Sequence, residues 1–240
     1  MADPRDSRLR RAMPRRTVLV TGGTRGIGRE VVRQLSESWR VVVGGTSAEA
    51  VQAVVDDCPA AAGFVCDLTD ADAVATAVAA LGPLDAVVHS AGVVGYGSVE
   101  DTTREQWRRV LEVNLVAVAD LTRLLLPRLR EARGTVVVIN SGSGFTAGPN
   151  GAVYAASKFA VRAWADALRA EERGAVRVSS VHPGRVDTDM QRQLQAAEGR
   201  AYDPSIAMEA TSVAKAVEFV LDADPDAAVE VVSVRPSGLR

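Results

Sequence analysis

Tyr154 and Lys158 stand one helical turn apart in Tyr154-Ala155-Ala156-Ser157-Lys158, which puts a phenol and an ammonium on the same helix face. A free phenol ionises near pH ~10, too high for a base at neutral pH, and a neighbouring positive charge favours the phenolate. Because an acid or base works best with its pKa near the working pH, the pair suits moving a proton on or off an oxygen. Taken alone it also fits a part-buried tyrosine beside a solvated lysine. Ser141, at the end of an apolar run, offers a hydroxyl to the same oxygen. Asn114 lies in an otherwise apolar helical stretch, where a buried amide needs a partner. A water-mediated link to Lys158 would satisfy it; so would a local bond to the helix backbone.

A second cluster, Thr21-Gly22-Gly23-Thr24-Arg25-Gly26-Ile27-Gly28, reads as a seat for a pyrophosphate. It follows a β-branched run and precedes a helical pattern carrying Val31, Val32 and Leu35. Gly22 permits the tight turn, Gly26 lets the backbone approach a phosphate, and Gly28 lets the helix sit close to its strand. The helix start offers unpaired N–H groups and the positive end of its dipole.

These groups need a scaffold that brings them to one edge. Apolar runs at 17–20, 40–44, 63–66, 84–89, 135–140, 176–181 and 229–234 read as strands alternating with helices, the longest at 103–133 and 153–173. Continuous apolar strands separated by helices predict a doubly wound α/β fold, a seven-stranded parallel sheet covered on both faces, in one domain spanning 17–240. Residues 187–209, with Met190, Leu194, Tyr202 and Pro204, follow the carboxyl end of a strand, where ligands bind in such sheets, and are the candidate substrate lid.

The net charge of −2 gives no reason to expect nucleic acid or an acidic membrane as a partner, and no apolar run is long enough to span a bilayer. Two cysteines, Cys58 and Cys66, without a secretory leader point to a cytoplasmic protein with free thiols. The arginine-rich stretch 1–16 reads as a disordered basic tail. No cluster of metal-ligand type is present, so His89 and His182 are expected to be structural.

In its ordered motifs the chain resembles the single-domain short-chain dehydrogenases/reductases. The motifs are the Gly-rich turn, Asp67-Leu68, Ser90-Ala91-Gly92, Asn114, Ser141, Tyr154-x-x-x-Lys158 and Pro183-Gly184, and the likeness covers nearly all of 17–236. The resemblance implies a Rossmann fold and hydride transfer between a nicotinamide and a carbonyl carbon. It implies that Tyr154 is the acid/base, Ser141 polarises the carbonyl, Lys158 lowers the tyrosine pKa and holds the nicotinamide ribose, and Asn114 anchors a relay water. Asp67 and Leu68 would meet the adenine, with a simple helix cap as the alternative for Asp67. Thr188 and the Val186 backbone would meet the nicotinamide end. Two departures stand out: Ser90 replaces the usual asparagine of Asn-Ala-Gly, and His182 replaces the asparagine before Pro183-Gly184.

A carboxylate after the second strand would bond the adenosine ribose of NAD and repel a 2′-phosphate. Residues 44–47 contain no acid, whereas Arg25, Thr46 and Ser47 can donate to a phosphate. NADP(H) is therefore expected in preference to NAD(H), which stays possible. Val94, Tyr96, Phe145, Gly148 and Met190 suggest a modest, largely apolar pocket for a small or medium carbonyl compound or alcohol. A dinucleotide sensor or scaffold, and an isomerase or dehydratase, remain as alternatives. Surplus apolar residues on the helices at 103–133 and 153–173 suggest a homodimer or homotetramer.

Overall fold

The computed structural model describes residues 15–58, 61–197, 199 and 201–238. Its centre is a seven-stranded, all-parallel sheet, β1 (Thr17–Thr21), β2 (Arg40–Gly45), β3 (Ala62–Val65), β4 (Ala86–His89), β5 (Thr135–Ile139), β6 (Arg177–Pro183) and β7 (Val231–Val234), in the order β3-β2-β1-β4-β5-β6-β7. Parallel neighbours require crossover connections, and helices supply them: α1 (Gly26–Leu35), α2 (Ala48–Asp57), α3 (Ala71–Ala79), α4 (Arg104–Leu111), α5 (Ala117–Ala132), α6 (Ala152–Glu171), α7 (Asp189–Ala197) and α8 (Ala210–Leu221).

Side chains alternate across each strand, so the sheet has two cores. Val18, Val20, Val137 and Val181 face α1, α2 and α8, whereas Leu19, Val87, Val136 and Val138 face α3, α5 and α6. Leu121, Leu125 and Leu129 of α5 are fully buried, each worth about 1.5–3 kcal/mol relative to exposure. The pairing of β1 with both β2 and β4 makes the order reverse at β1/β4. The loops leaving the carboxyl ends of these two strands therefore diverge to opposite faces and open a crevice.

The helix expected over 103–133 is interrupted by a π turn at Glu112–Val116, where the Ala117 N–H reaches back to the Glu112 carbonyl. Such wide turns recur at functional sites, and this one carries Asn114. The lid stretch is more regular than expected, since α7 and a short 3₁₀ turn at Pro204–Ile206 fill much of it. Asp187 anchors this segment, accepting from the Tyr202 hydroxyl and pairing with Arg192 at 2.7 Å. Most of the proposed basic tail lies outside the described residues, but Arg16 is held in place: it pairs with Asp222 at 2.7 Å and stacks 4.0 Å from the Trp39 ring centre. Cys58 and Cys66 are buried free thiols.

Candidate active site

β1 ends at Thr21, whose buried hydroxyl oxygen accepts the N–H groups of Ser90 and Ala91 at 3.1 and 3.2 Å. This bond clamps the Gly-rich turn to the loop after β4. Gly22 adopts φ +63, and a Cβ there would lie 2.8 Å from the Ala91 backbone, so only glycine lets the two loops touch. A Cβ on Gly28 would overlap the Gly22 carbonyl, which seats α1 directly on the turn. Arg25, at the N-cap of α1, is exposed and makes no side-chain cap, leaving first-turn N–H groups for an anion. Gly26, at φ +53, faces the Thr188 methyl; its ideal Cβ would sit 3.5 Å away. Thr24 packs beside Gly45 at the end of β2, and Ile27 packs on the core.

Next to this turn, Thr46 and Ser47 are exposed, and the Ser47 oxygen accepts the Ala50 N–H to cap α2. That bond leaves its O–H free to donate. Asp67 is exposed, and one carboxylate oxygen accepts both the backbone N–H and the hydroxyl of Thr69, which holds its pKa below the usual carboxylate value. The cap of α3 is Asp70, not Asp67. Leu68 packs on the core near α3. Past the Pro183-Gly184 end of β6, Val186 bridges Met208 through the flanking groups: Asp187 donates to Met208 at 2.8 Å and Met208 donates to Arg185 at 3.0 Å. In a parallel bridge of this kind the N–H and C=O of Val186 point to the opposite side.

β5 and α6 deliver the reactive groups. Asn140 joins them: its side-chain oxygen accepts the Ser141 N–H at 2.8 Å and its amide donates to the Lys158 carbonyl at 3.2 Å. From β6, the buried His182 donates from Nδ1 to the Ser141 carbonyl at 2.9 Å, while its ring stacks 4.2 Å from Phe145. Ser141 is thus fixed from two sides. Its side chain stands close enough to Tyr154 to favour the phenolate, while its oxygen accepts the Ser143 N–H at 3.1 Å.

The electrostatics differ from the sequence expectation. Packing around the half-buried Tyr154 raises the phenol pKa above its ordinary value, and the opposing influence is Ser141 rather than Lys158. Lys158 lies 5.8 Å from the tyrosine ring centre and donates to the Ile139 carbonyl at 2.9 Å. Burial brings its pKa down to about 8. One ammonium N–H is therefore committed and two are left.

The Asn114 side chain bonds across to a loop and a second helix rather than to its own helix backbone. Its amide donates to the Val93 carbonyl at 2.9 Å and to Ser157 Oγ at 3.0 Å, and its oxygen accepts the Val93 N–H at 2.9 Å. Ser157 Oγ in turn donates to the Tyr154 carbonyl at 2.7 Å. The asparagine ties the loop after β4 to the helix of Tyr154. Thr21, Asn140 and Ser157 are the positioning groups that residue-by-residue reading missed, while His182, read as structural, holds the Ser141 carbonyl. Their shared signal was a polar side chain beside a reactive one in an apolar context.

The departure at Ser90 is absorbed in the same way, since Thr21 steadies that loop through backbone N–H groups. His89 is structural: fully enclosed, bonded to Thr122 at 2.8 Å, and pushed down to about 3 by burial. Among the described residues there is no group of metal ligands. Beside the site a cavity of about 310 Å³ is lined by Val94 and Tyr96 but not by Phe145, Gly148 or Met190. Phe145 instead lies between His182 and Arg162. A larger depression, of about 600 Å³, opens at the amino end of the sheet, away from this chemistry.

Known proteins resemble this chain in sequence and fold. The chain is 35% identical over 228 residues to a 3-alpha-(or 20-beta)-hydroxysteroid dehydrogenase of Mycobacterium tuberculosis (strain CDC 1551 / Oshkosh), covering 86% of this chain and 88% of that protein. It is 37% identical over 188 residues to an L-fucose dehydrogenase of Bos taurus, covering 75% and 70% respectively. A variant of the actinorhodin polyketide ketoreductase with NADPH superposes with a TM-score of 0.85 at 27% identity, covering 94% of this chain and 98% of that one. Residues 16–199, well over half of the chain, match the family model for short chain dehydrogenases. Fold, motif order and these relatives together make the chain a member of the short-chain dehydrogenase/reductase family.

Proposed function

We propose that the protein is an NADP(H)-dependent oxidoreductase that interconverts a small or medium carbonyl compound and its alcohol. The observation that carries this reading is the meeting of the Ser141 and Tyr154 side chains, with Lys158 on the same helix, at the sheet edge that holds the Gly-rich turn.

The crevice suits a dinucleotide. Gly22 lets the turn close against the loop after β4, and the first turn of α1 has no side-chain cap. Gly22, Thr24, Gly26, Ile27 and Gly28 would hold the pyrophosphate, with Ser90, Ala91 and Gly92 beside them and Asp67 and Leu68 at the adenine. Arg25 forms no ion pair among the described residues, and with Thr46 and Ser47 it would take the 2′-phosphate. The NADPH in the similar ketoreductase supports that preference. Pro183, Gly184, the outward N–H of Val186 and Thr188 would border the nicotinamide end, and Lys158 would give its two remaining N–H groups to a ribose.

When bound, the nicotinamide gives or takes the hydride. Ser141 and Tyr154 hold the substrate oxygen. Because its pKa is raised, the Tyr154 phenol is protonated at neutral pH and is poised to donate as a carbonyl oxygen gains charge. The lid formed by α7 and the following turn limits water at the site.

The test is absorbance screening of an aldehyde, ketone and alcohol library with NADPH and NADH. Turnover favouring NADPH is expected, and Tyr154→Phe should lose about a thousandfold or more in kcat while binding the cofactor normally. The second reading is a dinucleotide sensor that binds without turning over, which Lys158 spending an N–H on the Ile139 carbonyl would also suit. Wild-type protein inert across the whole library would support it.

We also infer a homodimer or homotetramer acting on small molecules in the cytoplasm. Exposed Val116 and Phe159, at 47% and 42%, support the assembly. No helix among the described residues is long and apolar enough to cross a membrane.

A further inference from the structure

The 310 Å³ cavity is bounded by loop 93–96, α4 and the lid helix α7. It is coupled to the reaction centre through its own wall. Val93 is the residue that Asn114 grips, and Gly95 presses against Val153, the neighbour of Tyr154, where a Cβ would collide with the valine side chain. A substrate whose carbonyl sits on Tyr154 can therefore extend along this loop into the cavity.

Its chemistry is one-sided. Val93, Val94, Val110 and Leu194 give the apolar part of the wall, Tyr96, Gln106 and Gln193 are its neutral polar residues, and Arg109 is the one charged lining residue. Arg109 makes no ion pair among the described residues, although Glu105 and Glu112 lie about one turn away on either side. Gln106 adds a donor: its carbonyl oxygen is committed to the Thr103 N–H at 2.7 Å in the capping box of α4, so its NH₂ is the group left over. That box also fixes the first turn of the helix, and with it the direction of the Arg109 wall. A cavity whose apolar wall stands beside an unpaired guanidinium and an amide NH₂ suits a carboxylate on an aliphatic chain.

We propose that the cavity is a carboxylate subsite, and that the preferred substrates are carbonyl compounds or alcohols bearing a carboxylate at the far end of a short aliphatic chain. This rests on the oxidoreductase reading above. Arg109 acts as a specificity-determining residue on the α4 wall, with no part in the proton transfer.

The experiment uses the enzyme with saturating NADPH and a series of straight-chain ω-oxoalkanoates, each paired with its methyl ester. The two members of a pair share the reacting aldehyde and differ in the distal charge. At the best chain length, wild type should favour the acid by about ten- to a hundredfold in kcat/KM. Added salt should reduce that ratio. Arg109→Gln should bring the ratio close to unity and Arg109→Glu should invert it, whereas Arg108→Gln, outside the cavity lining, should leave it as in wild type. Equal kcat/KM for acid and ester in wild type, or a preference that survives Arg109→Gln, overturns the carboxylate subsite and leaves the oxidoreductase reading standing. No turnover of any acid or ester, with either nicotinamide cofactor, overturns both.

Discussion

Lys158 and Tyr154 share one turn of α6 but are driven in opposite directions by the same cause. Burial disfavours charge, so it lowers the ammonium pKa to about 8 and raises the phenol above its ordinary value. At pH 7 both groups carry their protons, which is the state needed to donate to a carbonyl oxygen. As pH rises through about 8, Lys158 loses its charge first. The expected reductive kcat/KM is flat below about pH 8 and falls above it, up to about tenfold per pH unit. Lys158→Arg, whose guanidinium stays charged, should move that break out of the accessible range. A pH–rate profile checks this, and a break persisting near pH 8 in the arginine variant would assign it to another group. The sequence showed that these residues could meet. It did not show the sign of the tyrosine shift, because that sign depends on how much protein surrounds the ring.

At the scale of elements, the site is a joint between strand ends and helices. His182 shows how the joint works. It closes β6 and spends its Nδ1 proton on the Ser141 carbonyl, at the end of the neighbouring β5, so the position of the Ser141 hydroxyl depends on a ring on another strand. His182→Leu removes that bond and is expected to lower kcat by about ten- to a hundredfold with little change in the Kd for NADPH. His182→Asn, which can place an amide N–H near the same carbonyl, should restore most of the rate. Equal losses in both variants would mark His182 as packing alone; single-turnover kinetics with cofactor titration separates the outcomes.

The strands, the two long helices and the Gly-rich turn were legible because hydrophobic period and glycine placement are local properties. The π turn at Glu112–Val116 was not, since its residues still look helical one by one. Asn114 was therefore picked out as a buried polar group without its bonds to Val93 and Ser157: the widened turn and the loop at Val93 come together only in three dimensions.

Across the whole molecule, apolar surface remains where the sheet does not need it. Val116 at the π turn and Phe159 on α6 are exposed, and both lie on the helical layer that carries Asn114 and Tyr154. Pairing of this layer between two copies would bury them and brace the helices that hold the site. The double substitution Val116→Lys with Phe159→Lys is expected to give a monomer with reduced activity. Light scattering on wild type and variant checks it, and a monomeric wild type would refute the pairing. Most of the sheet and its layers could be foreseen from the chain. A face that would join two copies could not, because it depends on contacts beyond a single folded copy.

The order of the strands also governs how the chain comes off the ribosome. β1 lies inside the sheet, third of its seven strands, yet one of its flanks waits for β4, and the apolar side of α1 packs on α8, at 210–221. During synthesis the phosphate-binding turn and its helix are therefore made first and sheltered nearly last. A nascent chain stalled before α8 leaves the side of α1 that α8 covers open, which makes it a target for chaperones and for premature self-association. Shortening the carboxyl end would harm the opposite end of the polypeptide, where the cofactor crevice begins.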